Sequence, residues 1–306
     1  MANPAPRTGA APEDILAWEA EQRPRAAIAA IVAGLLVFAG MIVTAITFRH
    51  HPAVTLFDAL RDATGRPPES GGLLTKTALF RHDHVLGLTG GQVLSSVGGV
   101  LAAGAVLYLY IATRARATVN QVGLVALIAG GIAYFVGTIV SEVAVDISIS
   151  DFVGSSDHST AAAHDALQPS LGLVGALIAQ VGTLALALGI VVVSMNAMKV
   201  GLLTRFLGVL GILAGVLFVI FRQPIILAFW LVAIGMLYLQ RTPSGVPPAW
   251  TSGLAIPWPS RQQVIEQARA ESGEEPSAAT DSGDDEELGL NGSSAHPRSK
   301  KKKRRR

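Results

Sequence analysis

Cysteine is absent from the 306 residues. That removes disulfide frameworks, thiolate metal sites and cysteine nucleophiles together. Charge is scarce as well: Asp, Glu, Lys and Arg make up 15% of the chain, against about 25% in an ordinary soluble domain. In their place stand 50% hydrophobic residues and 32 glycines. Disorder throughout is excluded by that apolar content. A single soluble globular domain is a poor fit, because charge-free stretches must run for long distances. The few charges are also uneven. Residues 1–25 hold 3 basic and 4 acidic residues, residues 26–240 hold 10 and 9, and residues 241–306 hold 11 and 9. The formal net charge of +2 is an average over three unlike regions.

Six intervals contain no Asp, Glu, Lys or Arg: 26–48, 84–113, 117–141, 166–198, 206–221 and 223–240. A bilayer core of about 30 Å needs about 20 helical residues. The first four meet that length, and no polar stripe is evident in them at helical spacing. An isolated strand in lipid would leave its backbone groups unpaired, so helix is the reading. The expected spans are 26–48, 85–112, 122–144, 171–197, 200–221 and 225–240. The fifth reaches across only if its helix begins near Val200, with Arg205 snorkelling to the interface. Phe221-Arg222-Gln223-Pro224 would then be a tight polar turn; the alternative is an apolar hairpin that enters and leaves on one face. The first span does not read as a cleavable signal peptide, because Glu13, Asp14, Glu19 and Glu21 precede a long apolar core.

Lys and Arg are retained on the cytoplasmic side. With the N-terminus inside, Arg23 and Arg25, Arg114 and Arg116, Lys199 and Arg205, and Arg241 all fall inside. The loop Val145–Ser170 then falls outside, with Asp146, Asp151, Asp157 and Asp165 and no Lys or Arg. One loop dissents: residues 49–84 would be outside yet carry Arg49, Arg61, Arg66, Lys76 and Arg81. The others outvote it, and both termini are expected in the cytosol of a bacterial cell, in the cytoplasmic membrane.

Small residues crowd the spans, as at Gly98-Gly99, Gly130-Gly131 and the GxxxG pair Gly211 and Gly215, and read as helix packing. Ionisable residues inside a span are the stronger functional signal. Glu142 qualifies, near the outer end of its span, with Asp146 one turn later on the same face; a solvated helix end is the bland reading and a cation or proton site the sharp one. Gln180 lies more centrally and reads first as an interhelical hydrogen bond.

Six of the seven histidines fall in the two outer loops. Among them His82, His84, His158 and His164, beside Asp83, Asp157 and Asp165, suit a transition metal in residue type. Their spacing matches no metallohydrolase motif, though His82 and His84 could chelate one ion on an extended backbone. No nucleotide-binding or nucleophile-elbow pattern occurs in a suitable context. The segment Val54–Ala63 reads as an amphipathic surface helix, closed by a turn over Gly65–Gly72.

Past the last span, Trp250 and Trp258 suit the headgroup region. Ser260 reads as the cap of a short helix through Ala270, and residues 271–299 as disordered. The chain closes on seven bases, Lys300, Lys301, Lys302, Lys303, Arg304, Arg305 and Arg306. Anionic lipid headgroups are their expected contact; nucleic acid is the weaker reading because no aromatic platform accompanies them.

Two stretches carry a resemblance: Ser194–Gly208 (SMNAMKVGLLTRFLG) and the segment containing Pro247-Pro248-Ala249-Trp250 and Ile256-Pro257-Trp258-Pro259. They resemble a family of uncharacterised bacterial multi-pass integral membrane proteins with a charged cytosolic tail. The resemblance implies no activity and carries over no functional residue.

The expectation is an all-α polytopic membrane bundle of about six helices. It has a cytosolic segment 1–25, a membrane domain 26–240 and a largely disordered tail 241–306. A non-enzymatic membrane scaffold or interaction protein leads, with the bilayer, anionic lipid and a protein partner or a second copy as its contacts. The alternatives are a small-solute or ion transporter using Glu142, Asp146 and Gln180, and an outward-facing metal-dependent enzyme. No cofactor is expected.

Overall fold

The computed structural model describes residues 5–6, 8–51, 72–221, 224–242 and 245–258. Of these, 81% are helical and none lies in a strand. The surface helix expected at Val54–Ala63 and its turn, Arg222 and Gln223, and everything from Pro259 onward, with Ser260 and Lys300–Arg306, lie outside the described residues. In chain order the helices are α1 (Pro12–Phe48), α2 (Leu73–Asp83), α3 (Val85–Arg116), α4 (Val122–Gly154), α5 (Thr160–Leu167), α6 (Ser170–Lys199), α7 (Arg205–Phe221), α8 (Ile225–Tyr238) and α9 (Ala249–Ser252). Four of them, α1, α3, α4 and α6, are long and apolar enough to cross a membrane.

Antiparallel packing gives the bundle two ends. The proximal end carries Glu19, Arg116, Lys199, Arg205 and Tyr238; the distal end carries Phe48, Val85, Gly154 and Ser170. The closest pairing is α4 against α6. Gly123, Gly130 and Gly137 repeat every seven residues on α4, and Gly175, Gly182 and Gly189 do so on α6. A Cβ at Gly130 would meet the backbone of Leu186, and one at Gly137 that of Ala179. From the other helix, a Cβ at Gly175 would meet the backbone of Ser141, and one at Gly182 that of Tyr134. The seven-residue repeat keeps one stripe turned to the partner, and small residues let the backbones touch where lipid gives no hydrophobic drive. Gly40, Gly91 and Gly98 bring α1 and α3 together in the same way. Away from these seams the long helices present large apolar side chains outward: Ile28 and Leu35 on α1, Ile132 on α4, and Leu177 and Val181 on α6. A belt of this size has no place in water and suits hydrocarbon.

Several expected boundaries move. Residues 12–25, expected as a cytosolic segment, are helical and continuous with the apolar run of α1. The helix expected to end near residue 144 runs on to Gly154. The four acids of Val145–Ser170 suggested a solvated loop, but Val145, Ile149 and Phe152 lie on one helical face between them. They pack with Ala78 of α2 and with Ala163 and Ala166 of α5 in a small second core. Helix α5 starts at a Ser159 cap whose Oγ accepts from Ala162 N at 3.2 Å. Hydrogen bonds from Ser159, first from its backbone N–H, hold the Asp157 carboxyl below the usual carboxylate range.

The fifth span does not begin at Val200. Val200 ends α6, Gly201 follows with φ +81°, and α7 starts only at Arg205. With 17 and 14 residues, α7 and α8 reach about 25 and 21 Å at 1.5 Å per residue, short of the roughly 30 Å of a bilayer core. The facing ends of α7 and α8 sit beside the middle of the long helices. Phe218 and Pro224 share a cavity with Val37, Thr138 and Thr183. Val37 lies eleven residues before the distal end of α1 and Thr183 thirteen from that of α6.

A latch closes the proximal end. Glu19 and Arg116 are both fully buried. Each guanidinium Nη donates to a Glu19 carboxylate oxygen, Nη1 also to Ala112 O at 3.0 Å and Nη2 to Ala249 O at 2.8 Å. The Arg23 and Arg116 guanidiniums lie 5.5 and 5.8 Å from the centre of the Trp250 ring. Trp250 Nε1 donates to Leu202 O and Trp258 Nε1 to Leu203 O, each at 2.8 Å, while Ile256 N donates to Val200 O at 3.1 Å. Trp250 is therefore a core residue, 2% exposed, and not a headgroup anchor: its indole N–H is taken by a carbonyl of the chain. The two stretches that carry the family resemblance meet here in space, which gives their residues a packing role.

Candidate functional site

Beside the α4–α6 seam, a cavity of about 240 Å³ lies between α1, α3, α4, α6, α7 and α8. Its wall is polar for a site inside the membrane-embedded bundle. Helix α3 gives Gln92 and Ser95; α4 gives Tyr134, Thr138, Ser141 and Glu142; α6 gives Gln180 and Thr183. Val37, Phe218, Pro224 and Leu227 form the apolar side, at the α7–α8 connection.

The polar residues lie at helical spacing: 92 and 95 on α3, 134, 138, 141 and 142 on α4, 180 and 183 on α6. These are short polar stripes inside the runs expected to have none, a correction to that reading. They are hidden because Ser and Thr are tolerated in apolar helices. Each Thr hydroxyl donates to its own helix, Thr138 Oγ1 to Tyr134 O at 2.7 Å and Thr183 Oγ1 to Ala179 O at 2.8 Å. Back-bonded in this way, a hydroxyl lowers its polarity toward hydrocarbon and keeps only acceptor lone pairs to offer.

Glu142 is not a solvated helix end. Its side chain is 15% exposed, and Arg81 of α2 covers it. Arg81 Nη2 donates to Glu142 Oε2 at 2.5 Å, and Arg81 Nε donates to Asp146 Oδ1 at 3.2 Å. The second Asp146 oxygen accepts from Thr89 Oγ1 at 2.6 Å. Of the three polar residues singled out in the sequence, Glu142 and Gln180 thus line one cavity, and Asp146 stands one turn distal to it, joined through Arg81. Sequence reasoning missed Arg81 as part of this site. The available signal was its place among the bases of the dissenting loop, eight residues from Thr89.

The four candidate metal histidines are not brought together. Among the described residues no group of three His, Asp or Glu side chains could hold a metal ion. His82 lies within α2, and His84 ends it with φ −119° and ψ 23°, so the extended geometry that would let both chelate one ion is not formed. His84 Nδ1 contacts Phe80 O at 3.0 Å, and its ring stacks on Phe80 and on His50. His158 sits edge-on to Phe152, and His164 is exposed on α5. These contacts are those of capping and packing residues.

Compared with family models, with curated proteins and with solved structures, the chain finds no match. The family suggested by Ser194–Gly208 and its companion segment rests on those residues alone.

Proposed function

We propose that this protein binds a small polar solute or ion within the membrane and passes it across. The observation that carries the reading is the polar cavity at mid-helix, with a carboxylate in its wall. Polar and ionisable groups are costly in a bilayer and mark solute paths when they face a bundle interior. Short apolar segments that end at membrane depth, here α7 at Phe221 and α8 starting after Pro224, accompany such sites in transporters, because non-helical backbone is tolerated where it lines a cavity. In this reading α7 and α8 form a hairpin that enters and leaves at the proximal face, beside four crossings. The proximal end is cytosolic and the distal cap of α2 and α5 outside, in the cytoplasmic membrane of a bacterium. The scaffold reading has no comparable feature in its support.

The test is solute flux in proteoliposomes with the full chain. Panels of neutral polyols, organic cations, organic anions and inorganic ions are compared with empty vesicles and with Thr138→Trp, which fills the cavity. One class crossing faster than in empty vesicles, and no longer doing so in Thr138→Trp, is expected. No class exceeding empty vesicles returns the chain to the scaffold reading.

A further inference from the structure

The cavity also points to a kind of ligand, an inference that rests on the proposed function above. We propose that it takes a small protonated organic amine, with Glu142 as counter-ion and Arg81 as a tethered cation that yields Glu142 to the ligand.

Two carboxylates, Glu142 and Asp146, face one guanidinium. The two acids are placed differently. Asp146 is outside the cavity wall and has a second partner in Thr89. Glu142 is in the wall. Arg81 grips them through different edges of its fork, Nε to Asp146 and Nη2 to Glu142. The guanidinium can therefore release Glu142 while Asp146 still holds it, because the fork offers several independent donors. A cation arriving in the cavity replaces one ion pair with another at Glu142, and no carboxylate is left bare.

The rest of the wall fits an amine. Thr138 and Thr183 have committed their hydroxyl protons to their own helices, so they offer N–H donors an acceptor each. Tyr134 and Phe218 meet edge to face, ring centres 5.9 Å apart, and both line the cavity; ring faces attract ammonium. Val37 and Leu227 receive the alkyl part. The volume, about 240 Å³, equals about eight waters at about 30 Å³ each, which suits a small organic ion. A hard divalent ion would want six or more oxygen ligands, and the wall contains a single carboxylate. An organic anion would meet Glu142 head on.

The experiment is binding of n-butylammonium to the full-length protein in lipid nanodiscs by calorimetry. Butan-1-ol and butyrate are the isosteric neutral and anionic controls. Saturable binding of n-butylammonium, with neither control competing, is expected. Glu142→Gln should weaken it at least about ten-fold, the loss of roughly 1.4 kcal/mol. Arg81→Gln should tighten it several-fold, since the internal competitor is gone while both acids remain. Glu142→Gln could disturb packing, so Thr183→Val, which keeps shape and removes an acceptor, is measured beside it and should weaken binding to a smaller degree. Equal affinity in Glu142→Gln, weaker binding in Arg81→Gln, or equal binding of butan-1-ol each overturns the proposal. If a neutral solute or inorganic ion crosses proteoliposomes in a Thr138→Trp-sensitive manner while n-butylammonium does not bind, the solute path stands and the amine assignment falls. If nothing crosses and nothing binds, both fall.

Discussion

Glu19→Gln isolates the energetics of the proximal latch. The carboxylate and the Arg116 guanidinium are fully buried, so solvent and salt screen them little. Glutamine keeps the volume and removes the charge. Arg116 then retains Ala112 O and Ala249 O, but both it and Arg23, whose Nη2 is 3.8 Å from Glu19 Oε2, lose their shared counter-ion. Two guanidiniums are left over one indole ring. Removing one partner of a buried pair costs about 3–5 kcal/mol. The two carbonyls and the Trp250 face still solvate the guanidinium, which places this variant near the lower bound, about 3 kcal/mol. The readout is intrinsic fluorescence during denaturant unfolding in detergent. Trp18, Trp250 and Trp258, three of the four tryptophans, lie at this end. Arg116→Met alone should cost about as much, because it leaves Glu19 with Arg23 only. The double variant should fall short of the sum by at least about 2 kcal/mol, since both singles remove one interaction. A loss below about 1 kcal/mol for Glu19→Gln, the range of exposed pairs, would refute the reasoning. So would additivity within about 0.5 kcal/mol, or a stability difference that disappears in high salt.

Two further outcomes test the helix seam and the sidedness. Gly182→Ala puts a methyl group against the Tyr134 backbone, which cannot swing aside, so it should destabilise by about 2–3 kcal/mol. Gly104→Ala meets open space and should be neutral or stabilising by up to about 1 kcal/mol; equal effects in the two would refute the seam. The absence of cysteine makes accessibility mapping direct. Asp157→Cys should react with an impermeant thiol reagent on intact cells, and Arg114→Cys only after lysis. Gln180→Cys, in the cavity, should react with a small charged reagent while lipid-facing Leu184→Cys does not. Labelling of 157 and 114 from one side, or no labelling at 180, contradicts the reading.

Helix content and the four long spans were legible because charge-free runs of membrane length have few other uses. The packing faces were partly legible. Gly211 and Gly215 stand out locally, while the seven-residue repeats of Gly123, Gly130, Gly137 and of Gly175, Gly182, Gly189 appear only when a whole helix is indexed against a partner. Glu142 and Gln180 were visible as polar residues in apolar surroundings. Their convergence was not, since it depends on which faces α4 and α6 turn to each other. The start of α7 was hidden because Val200-Gly201-Leu202-Leu203, between Lys199 and Arg205, is apolar enough to continue a span, and the positive φ of Gly201 that breaks the helix there leaves no mark in the pattern. Trp250 looked amphipathic in sequence, and nothing local to it revealed that Leu202, forty-eight residues away, would supply its acceptor.

A low charge count taken alone would speak against a polar path through this protein, and the structure removes the force of that objection. The cavity's polarity comes from amides and hydroxyls, which a charge count does not register, plus one carboxylate. The same geometry bears on the dissenting loop. Arg81, one of its bases, is held at the distal end by Glu142 and Asp146, so it serves a contact and says little about retention. Arg116 is likewise committed to Glu19 and should be set aside for the same reason. What remains at the proximal end is Arg25, Arg114, Lys199, Arg205 and Arg241, all exposed and close to helix ends, where basic residues weigh most in orientation. The proposed cytosolic placement of that end still rests on these charges: among the described residues Arg25, Arg114, Lys199 and Arg241 enter no ion pair, while Arg205 has a contact of its own.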